Sequence, residues 1–382
     1  MTEILMDETI IYFGPEPWEG LWRNRHQLMS RFARHNDVWY VEPPAMLRQL
    51  LCRRKHRTRL FTRDVSGVNI FHSPWWLPIV GRAPFKNLSI RIYLFALSQL
   101  AGCRLKNSIV WLSRPNMLDL LGQLPAKLTI YHVVDEYSGY GSPSEEQRKR
   151  ILNKETELLR AADAAIVVTP SLLELKSPHN SNTHLVPNAV DFSAYAHCHV
   201  AMPDDMRSIR NPIIGYTGLI AARLDLEMLN SAAKARPDWS FVFIGTVNDD
   251  QCKEQMDELR DAENVHFLGQ KSVANTPNYV SHFDVCTIPY AVNLRAQHAS
   301  PLKLYEYAAA SKPIVATDFP AAREFGGHVD IARDANELIA ACERCLDLDS
   351  SSAAIIENRR FAEENTWDKR IEQVSDIIRS HS

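Results

Sequence analysis

Lys303 and Glu306 stand three residues apart in SPLKLYEYAAASKPIVATD (residues 300–318), a stretch that begins with Ser300 and Pro301 and runs through small residues into a β-branched segment. Proline suits the first turn of a helix, where its missing N–H is not needed, and the N–H groups and dipole of that turn favour an anion. Lys303 falls in the same turn. Glu306 comes one turn later on the same face, where a carboxylate can accept hydrogen bonds from both hydroxyls of a vicinal diol such as a ribose. A phosphate at the helix start and a ribose beyond it describe a nucleotide. The same two residues also fit a surface Lys–Glu pair on a core helix, and this stretch alone leaves both readings open. The run Ala308, Ala309, Ala310 and Ser311 reads as a side packed closely on a sheet.

The elements that would hold such a helix are legible in the apolar pattern. Short β-branched runs alternate with longer amphipathic stretches, the mark of parallel sheets covered by helices. TIIYFG, DVWYVEP, VNIFH, SIVWLS, LTIYHVVD, AAIVVT and THLVPN read as strands, with helices near 21–35, 86–103 and 144–161. Between Asp191 and Pro212 the period breaks and two prolines occur, as in a linker. The alternation restarts with IIGYTG, SFVFIG, VHFLG, FDVCTIP, PIVATD and VDIA. A chain of 382 residues with 45% hydrophobic content exceeds the usual size of one core. Two Rossmann-like domains are therefore expected, over 1–195 and 210–366. A final helix over 367–382 carries Ile371, Val374, Ile377 and Ile378 on one face and is expected to pack back on the first domain. Ligands of open sheets sit beyond the carboxyl ends of the strands, and two such domains create a cleft between them.

Composition excludes several classes. A charged fraction of 23% with net charge −3 argues against a disordered chain or a general nucleic-acid binder. No apolar run approaches the length that crosses a bilayer, the acidic N-terminus does not read as a secretory leader, and the seven cysteines are scattered, as expected in a reducing cytoplasm. Cys342 and Cys345 form a CxxC that reads as mid-helix, with no second pair to complete a zinc site.

SPLKLYEYAAASKPIVATDFP resembles the donor-binding motif of GT-B glycosyltransferases, specifically glycosyltransferase family 4 and its relatives that build bacterial surface polysaccharides. HLVPNAVDF, IIGYTGLIAARLDLEML, NVHFLGQ, FDVCTIPY and TWDKR are similar to further segments of that family in the same order, over residues 185–370. The resemblance implies an α/β GT-B fold, two Rossmann-like domains facing a central cleft. It also implies that Ser300, Pro301, Leu302 and Lys303 receive the diphosphate of a nucleotide-sugar donor of UDP or GDP type, that Glu306 binds the ribose, and that Gly218 lies in the donor loop. Two departures stand out. Retaining members often carry a glutamate eight residues before the ribose-binding one, where this chain has His298. The family's Arg and Lys after the first C-terminal strand are replaced by GLIAARLD, leaving Arg223 and Arg295 as cations. Fixed N–H dipoles with Arg and Lys can stabilise a departing diphosphate without metal, and no cofactor is expected. The Asp347–Asp349 DLD triplet resembles the metal-binding aspartates of the other glycosyltransferase fold, but it lies at a helix end in a chain with two Rossmann-like domains, and no metal is expected there.

The acceptor side falls to the first domain. YHVVDEYSGYG places His132, Asp135 and Glu136 at the carboxyl edge of a strand, where a side chain could position an acceptor hydroxyl or the sugar. Asp135 is the first choice because related enzymes carry an aspartate in this loop, and a capping role is its alternative. FGPEPWEGLWRNRH follows the first strand and could shape the acceptor pocket through Glu16, Trp18, Arg23 and His26, or simply be a solvated helix start. Residues 45–104 hold eleven Lys or Arg against the single acid Asp64, a local charge of +10 that leaves −13 elsewhere. With nearby tryptophans this segment reads as a peripheral contact with an anionic membrane that would hold a lipid-pyrophosphate-linked acceptor; a solvated loop is the other reading, and nucleic acid is not an expected partner. The expected protein is thus a cytoplasmic, membrane-peripheral transferase of sugar from a nucleotide-diphosphate donor to a glycan or lipid-linked acceptor, with retention implied by the family. A nucleotide-sugar 2-epimerase and a non-catalytic binding partner, the latter favoured by His298, are its alternatives.

Overall fold

A computed structural model describes residues 4–20, 22–43, 59–72, 86–139, 144–196, 201–293 and 296–381. The chain divides into two compact units, Met1–Pro187 with Asp368–Ser382, and Asn188–Trp367.

The first unit is built on β1 (Thr9–Phe13), β2 (Asp37–Val41), β3 (Phe61–Arg63), β4 (Asn69–Phe71), β5 (Ile109–Leu112), β6 (Leu128–Val133), β7 (Ala164–Val167) and β8 (Thr183–Leu185). They form one sheet in the order β3-β4-β2-β1-β5-β6-β7-β8, parallel except for the β3–β4 pair. Helices cover both faces, so central strands such as the IVWL of β5 are buried along their whole length rather than alternating. The covering helices include α1 (Asn24–Phe32), α2 (Lys86–Phe95) and α3 (Glu145–Ala161). α3 starts at a capping box in which Ser144 and Gln147 satisfy each other's backbone N–H groups. The helix Trp367–Ser380 joins this unit: Ile371, Val374, Ile377 and Ile378 are buried, Arg31 Nε donates to Asp368 at 3.1 Å, and Leu5 N–H donates to Ser375 Oγ at 3.1 Å.

The second unit carries β9 (Ile213–Thr217), β11 (Ser240–Ile244), β13 (Val265–Phe267), β14 (Val285–Ile288), β15 (Ile314–Thr317) and β16 (Asp330–Ala332), with a small separate pair of β10 (Ile220–Ala221) and β12 (Val247–Asn248). The main sheet is parallel, in the order β13-β11-β9-β14-β15-β16. Its core unites Ile214, Tyr216, Phe241, Phe243, Phe283 and Ile288 with the inner faces of the surrounding helices. The strands expected from the β-branched runs are present in both units.

In each unit the strand order reverses once, between β1 and β5 in the first and between β9 and β14 in the second. Adjacent loops diverge there to opposite sides of the sheet, which opens a crevice at the carboxyl ends of the two strands. Six of the eleven basic residues of the segment over 45–104, Arg48, Arg53, Arg54, Lys55, Arg57 and Arg82, lie outside the described residues, as does Arg295.

Candidate functional site

The switch point of the second unit collects the residues picked out by spacing. Helix α4 (Leu302–Ala309) starts after Pro301, whose extended backbone leads into a first turn with no side-chain cap. Asn188, buried, donates from Nδ2 to the Ser300 carbonyl at 2.7 Å and so fixes the approach to that turn. Tyr307 does the same from the other end of the helix: its hydroxyl accepts from the Thr217 N–H at 2.9 Å and ties α4 to the end of β9.

Lys303 is only 9% exposed. Its ammonium lies 4.9 Å and 5.3 Å from the ring centres of Tyr216 and Tyr290, and it donates to Tyr290 Oη at 3.0 Å. Tyr290 follows β14, is stacked on Phe319 at 5.5 Å, and carries the Arg223 guanidinium 4.2 Å from its ring centre. Backbone pairing puts Arg223 there. Leu224 bridges to Tyr290, the Ala291 N–H donates to the Arg223 carbonyl at 2.9 Å, and the Asp225 N–H donates to the Pro289 carbonyl at 2.8 Å. Two cations therefore share one aromatic ring; burial and the Arg223 charge work against the Lys303 ammonium, and the Tyr216 and Tyr290 hydroxyls outweigh them and hold its pKa above the ordinary value.

Gly218 closes the group. Its φ of +127° is one that side-chain-bearing residues rarely adopt, and a Cβ at that position would come within 3.1 Å of Lys303 Nζ. Gly245, φ +149°, is required for a similar reason, since a Cβ there would strike the Gly218 carbonyl oxygen at 1.8 Å. Glu306 is half-buried and accepts a hydrogen bond from buried Tyr195. Burial raises its carboxyl above the ordinary range against the opposing pull of Lys303 and of the Tyr195 hydrogen bond. His298 ends the short turn Ala296–His298 and, like Ser300 and Leu302, is half-buried. The structure thus brings Gly218, Arg223, Lys303 and Glu306 to one strand edge. Tyr290, Tyr216, Tyr195 and Asn188 were not singled out from the sequence; the signal available was the tyrosine ending FDVCTIPY at the carboxyl end of a strand.

In the first unit the singled-out residues are placed differently from one another. Asp135 is half-buried and its Oδ1 accepts from the Glu136 N–H at 3.1 Å. Glu136 is buried, accepts from the Ser138 N–H at 3.0 Å, and pairs with Lys176 Nζ at 2.7 Å. The same ammonium reaches Glu155 at 2.8 Å, and Glu155 accepts from Tyr131 Oη at 2.8 Å. One buried cation between two carboxylates anchors the loop that carries Asp135. Although burial opposes it, the Lys176 ammonium holds the Glu136 carboxyl below its ordinary range. His132 is buried against Trp111, with Nδ1 lacking a hydrogen-bond partner, and burial lowers its pKa to about 3.

Trp18 and His26 are buried. His26 Nδ1 accepts from the Arg23 N–H at 2.9 Å and Nε2 donates to the Trp18 carbonyl at 2.8 Å, so a neutral ring holds the loop after β1. Burial, helped by the Arg25 charge, lowers the His26 pKa to about 4. The Trp18 N–H donates to Glu42, a fully buried carboxylate that also meets His72 Nδ1 at 3.0 Å. Glu16 and Arg23 remain half-exposed. Elsewhere, Cys342 and Cys345 are buried on the helix Ala335–Leu346, and Asp349 spends its carboxylate on Ser351 and Ser352 at the start of the following helix. Among the described residues no group of three metal-binding side chains occurs, and no helix is long and apolar enough to cross a membrane.

Two doubly wound units of this kind make a GT-B fold. Among solved structures the chain is similar to sucrose-phosphate synthase from Thermosynechococcus elongatus, with a TM-score of 0.72, 16% identity and 98% of each chain covered. It is also similar to Anabaena HepE in complex with UDP and glucose, with a TM-score of 0.68, 14% identity, and 98% of this chain and 100% of that one covered. Residues 211–348 match the family of glycosyl transferases group 1, and the resemblance drawn from the motifs is borne out. Over 251 residues the chain is 28% identical to a Bacillus subtilis protein named as a teichuronic acid biosynthesis glycosyltransferase, TuaH; the match spans 60% of this chain and 60% of that relative.

Proposed function

We propose that the protein transfers a sugar from a nucleotide-diphosphate sugar, of UDP or GDP type, to a glycan or lipid-linked acceptor in the building of a cell-surface polysaccharide. The observation that carries this reading is the pair of cations on Tyr290, Arg223 over its face and Lys303 at its hydroxyl, beside the first turn of α4. A leaving diphosphate gathers negative charge as its bond to the sugar breaks, and cations and N–H dipoles already fixed in place stabilise that charge without reorganising. Glu306, one turn further on, suits a ribose. The UDP and glucose in the HepE structure and the name of the Bacillus relative support the donor class and the polysaccharide setting.

Asp135, on its anchored loop, is the residue we assign to the acceptor hydroxyl or the sugar. Retention of configuration and independence of metal belong to the same reading: turnover should survive chelator, and the product should keep the donor's anomeric configuration by NMR. Exposed Leu88 and Phe95 on α2, with Arg91 also exposed between them, support a resting place on the anionic inner face of a membrane. The decisive experiment titrates UDP, GDP, ADP and CDP into the protein and into Glu306→Gln. One nucleotide should bind, and the variant should lose about tenfold in affinity for it but far less for its 2′-deoxy form. If none of the four binds the natural chain, the reading fails.

A further inference from the structure

Beyond the carboxyl ends of β1 and β5, two arginines pair with one acid and a third follows the neighbouring strand. Arg25, in the first turn of α1, is 7% exposed, and its Nη2 lies 3.3 Å from Glu16 Oε2. Its buried Nε has no hydrogen-bond partner. Arg23 Nη1 lies 3.6 Å from the other oxygen of the same carboxylate. Arg114 follows β5, with its guanidinium carbon 4.5 Å from the Tyr137 ring centre. The charges of Arg25 and Arg114 both act on Tyr12, one residue short of the end of β1, and Ser113 Oγ donates to the Phe13 carbonyl at 2.9 Å across the seam between the two strands. This is the switch point of the first unit, the place where doubly wound sheets take their ligands.

The two partners in the Arg25–Glu16 pair are unequally held. The Arg25 side chain is 8% exposed and that of Glu16 is 42%. A buried guanidinium needs a counter-charge, because removing one uncovers the full cost of its desolvation. An exposed carboxylate is held only weakly, since water screens it and its side chain loses freedom in the pair. Glu16 can therefore be displaced from a cation that cannot itself leave. The planar fork of a guanidinium matches the two oxygens of a carboxylate or phosphate.

We propose that Arg25, with Arg23 and Arg114, forms an oxyanion subsite that recognises a carboxylate or phosphate group on the acceptor, and that Glu16 occupies it when the acceptor is absent. The inference rests on the reading of the first unit as the acceptor domain.

Thermal unfolding of the full chain at constant ionic strength tests it, with inorganic phosphate, glucuronate, neutral glucose and chloride as probes and with UDP affinity measured alongside. A ligand that binds only the native state raises the melting temperature. Glu16→Gln should bind phosphate or glucuronate about tenfold more tightly than the natural chain, and should not respond to glucose or chloride. Which anion acts tells a phosphate-bearing acceptor from a carboxylate-bearing one. Arg25→Gln should abolish the response, and if it does not fold, Arg25→Lys, which keeps the charge but loses the fork, should weaken it. Any anion bound at Lys303 would respond equally in every variant, so the difference between Glu16→Gln and the Arg25 variants reports this subsite alone. An Arg25 variant that responds as fully as Glu16→Gln, a response to glucose equal to that to the anions, or weaker anion binding in Glu16→Gln would overturn the proposal. Absence of UDP binding with the anion response intact would sink the donor assignment and leave the subsite standing.

Discussion

Replacing Lys303 by methionine keeps the unbranched stem and removes the ammonium. Of the three N–H donors on that ammonium, one is directed to Tyr290 Oη at 3.0 Å and another to the Tyr216 hydroxyl, which leaves one for a phosphate oxygen. A hydrogen bond between charged partners contributes about 1.5–3 kcal/mol net, so about 2 kcal/mol, roughly thirtyfold in dissociation constant, is expected for UDP. UMP, which lacks the outer phosphate, should lose much less. The ligand-free protein should be much less affected. Among the described residues the ammonium forms no ion pair and is buried, and although burial and the Arg223 charge work against it, the Tyr216 and Tyr290 hydroxyls outweigh them and hold its pKa above the ordinary value. An apolar side chain of similar length removes the desolvation and the repulsion together with those hydroxyl contacts, so Lys303→Met should unfold close to the temperature of the natural chain. Isothermal titration with UDP and UMP, with thermal unfolding of the free proteins, reads both quantities. Equal losses for UDP and UMP would show that the lysine does not face the outer phosphate. A melting temperature lowered by several degrees would make it a structural residue and refute the argument from the shared ring.

Two further outcomes follow from burial and exposure. His26 and His132 titrate in the folded chain at about 4 and about 3, below their ordinary 6.5, so unfolding takes up protons between those values and 6.5. Stability from this source is complete above pH 6.5 and declines as pH falls through that window, by about 2 kcal/mol for each residue at pH 5; denaturation midpoints for His132→Phe should lose that share of the pH 7 to pH 5 difference, and an unchanged difference would remove His132 from the account. Serine at both Leu88 and Phe95 should weaken sedimentation with anionic vesicles by roughly tenfold or more; the same binding in variant and natural chain, or none at low salt, would end the membrane proposal.

What the sequence made legible were features carried by local periodicity. The parallel sheets were readable because strands buried on both faces must be continuously apolar, as IVWL and IIGYT are. The start of α4 was readable because proline suits a first helical turn, whereas the spacing of Lys303 and Glu306 alone fitted a surface pair as well as a ligand site. The partners of those residues were not readable, since Arg223, Tyr290 and Lys303 meet only through the pairing of two loops that each look ordinary. Lys176 and Glu155 show the same limit. They sit on helices where charge reads as a solvated face, yet a single buried network joins them to Glu136 and Tyr131. Periodicity reports which face of an element is apolar and is silent about polar groups that satisfy one another inside.

The path of the chain has a consequence for the order in which the protein can be made. The second unit is one continuous stretch, whereas the first is assembled from Met1–Pro187 and Asp368–Ser382. A nascent chain that has reached residue 187 still lacks the helix bearing Ile371, Val374, Ile377 and Ile378, and the apolar surface waiting for it stays wet while the ribosome finishes everything in between. The half made first is thus the last to be completed, and its exposed seam is where a chaperone would have most reason to hold on.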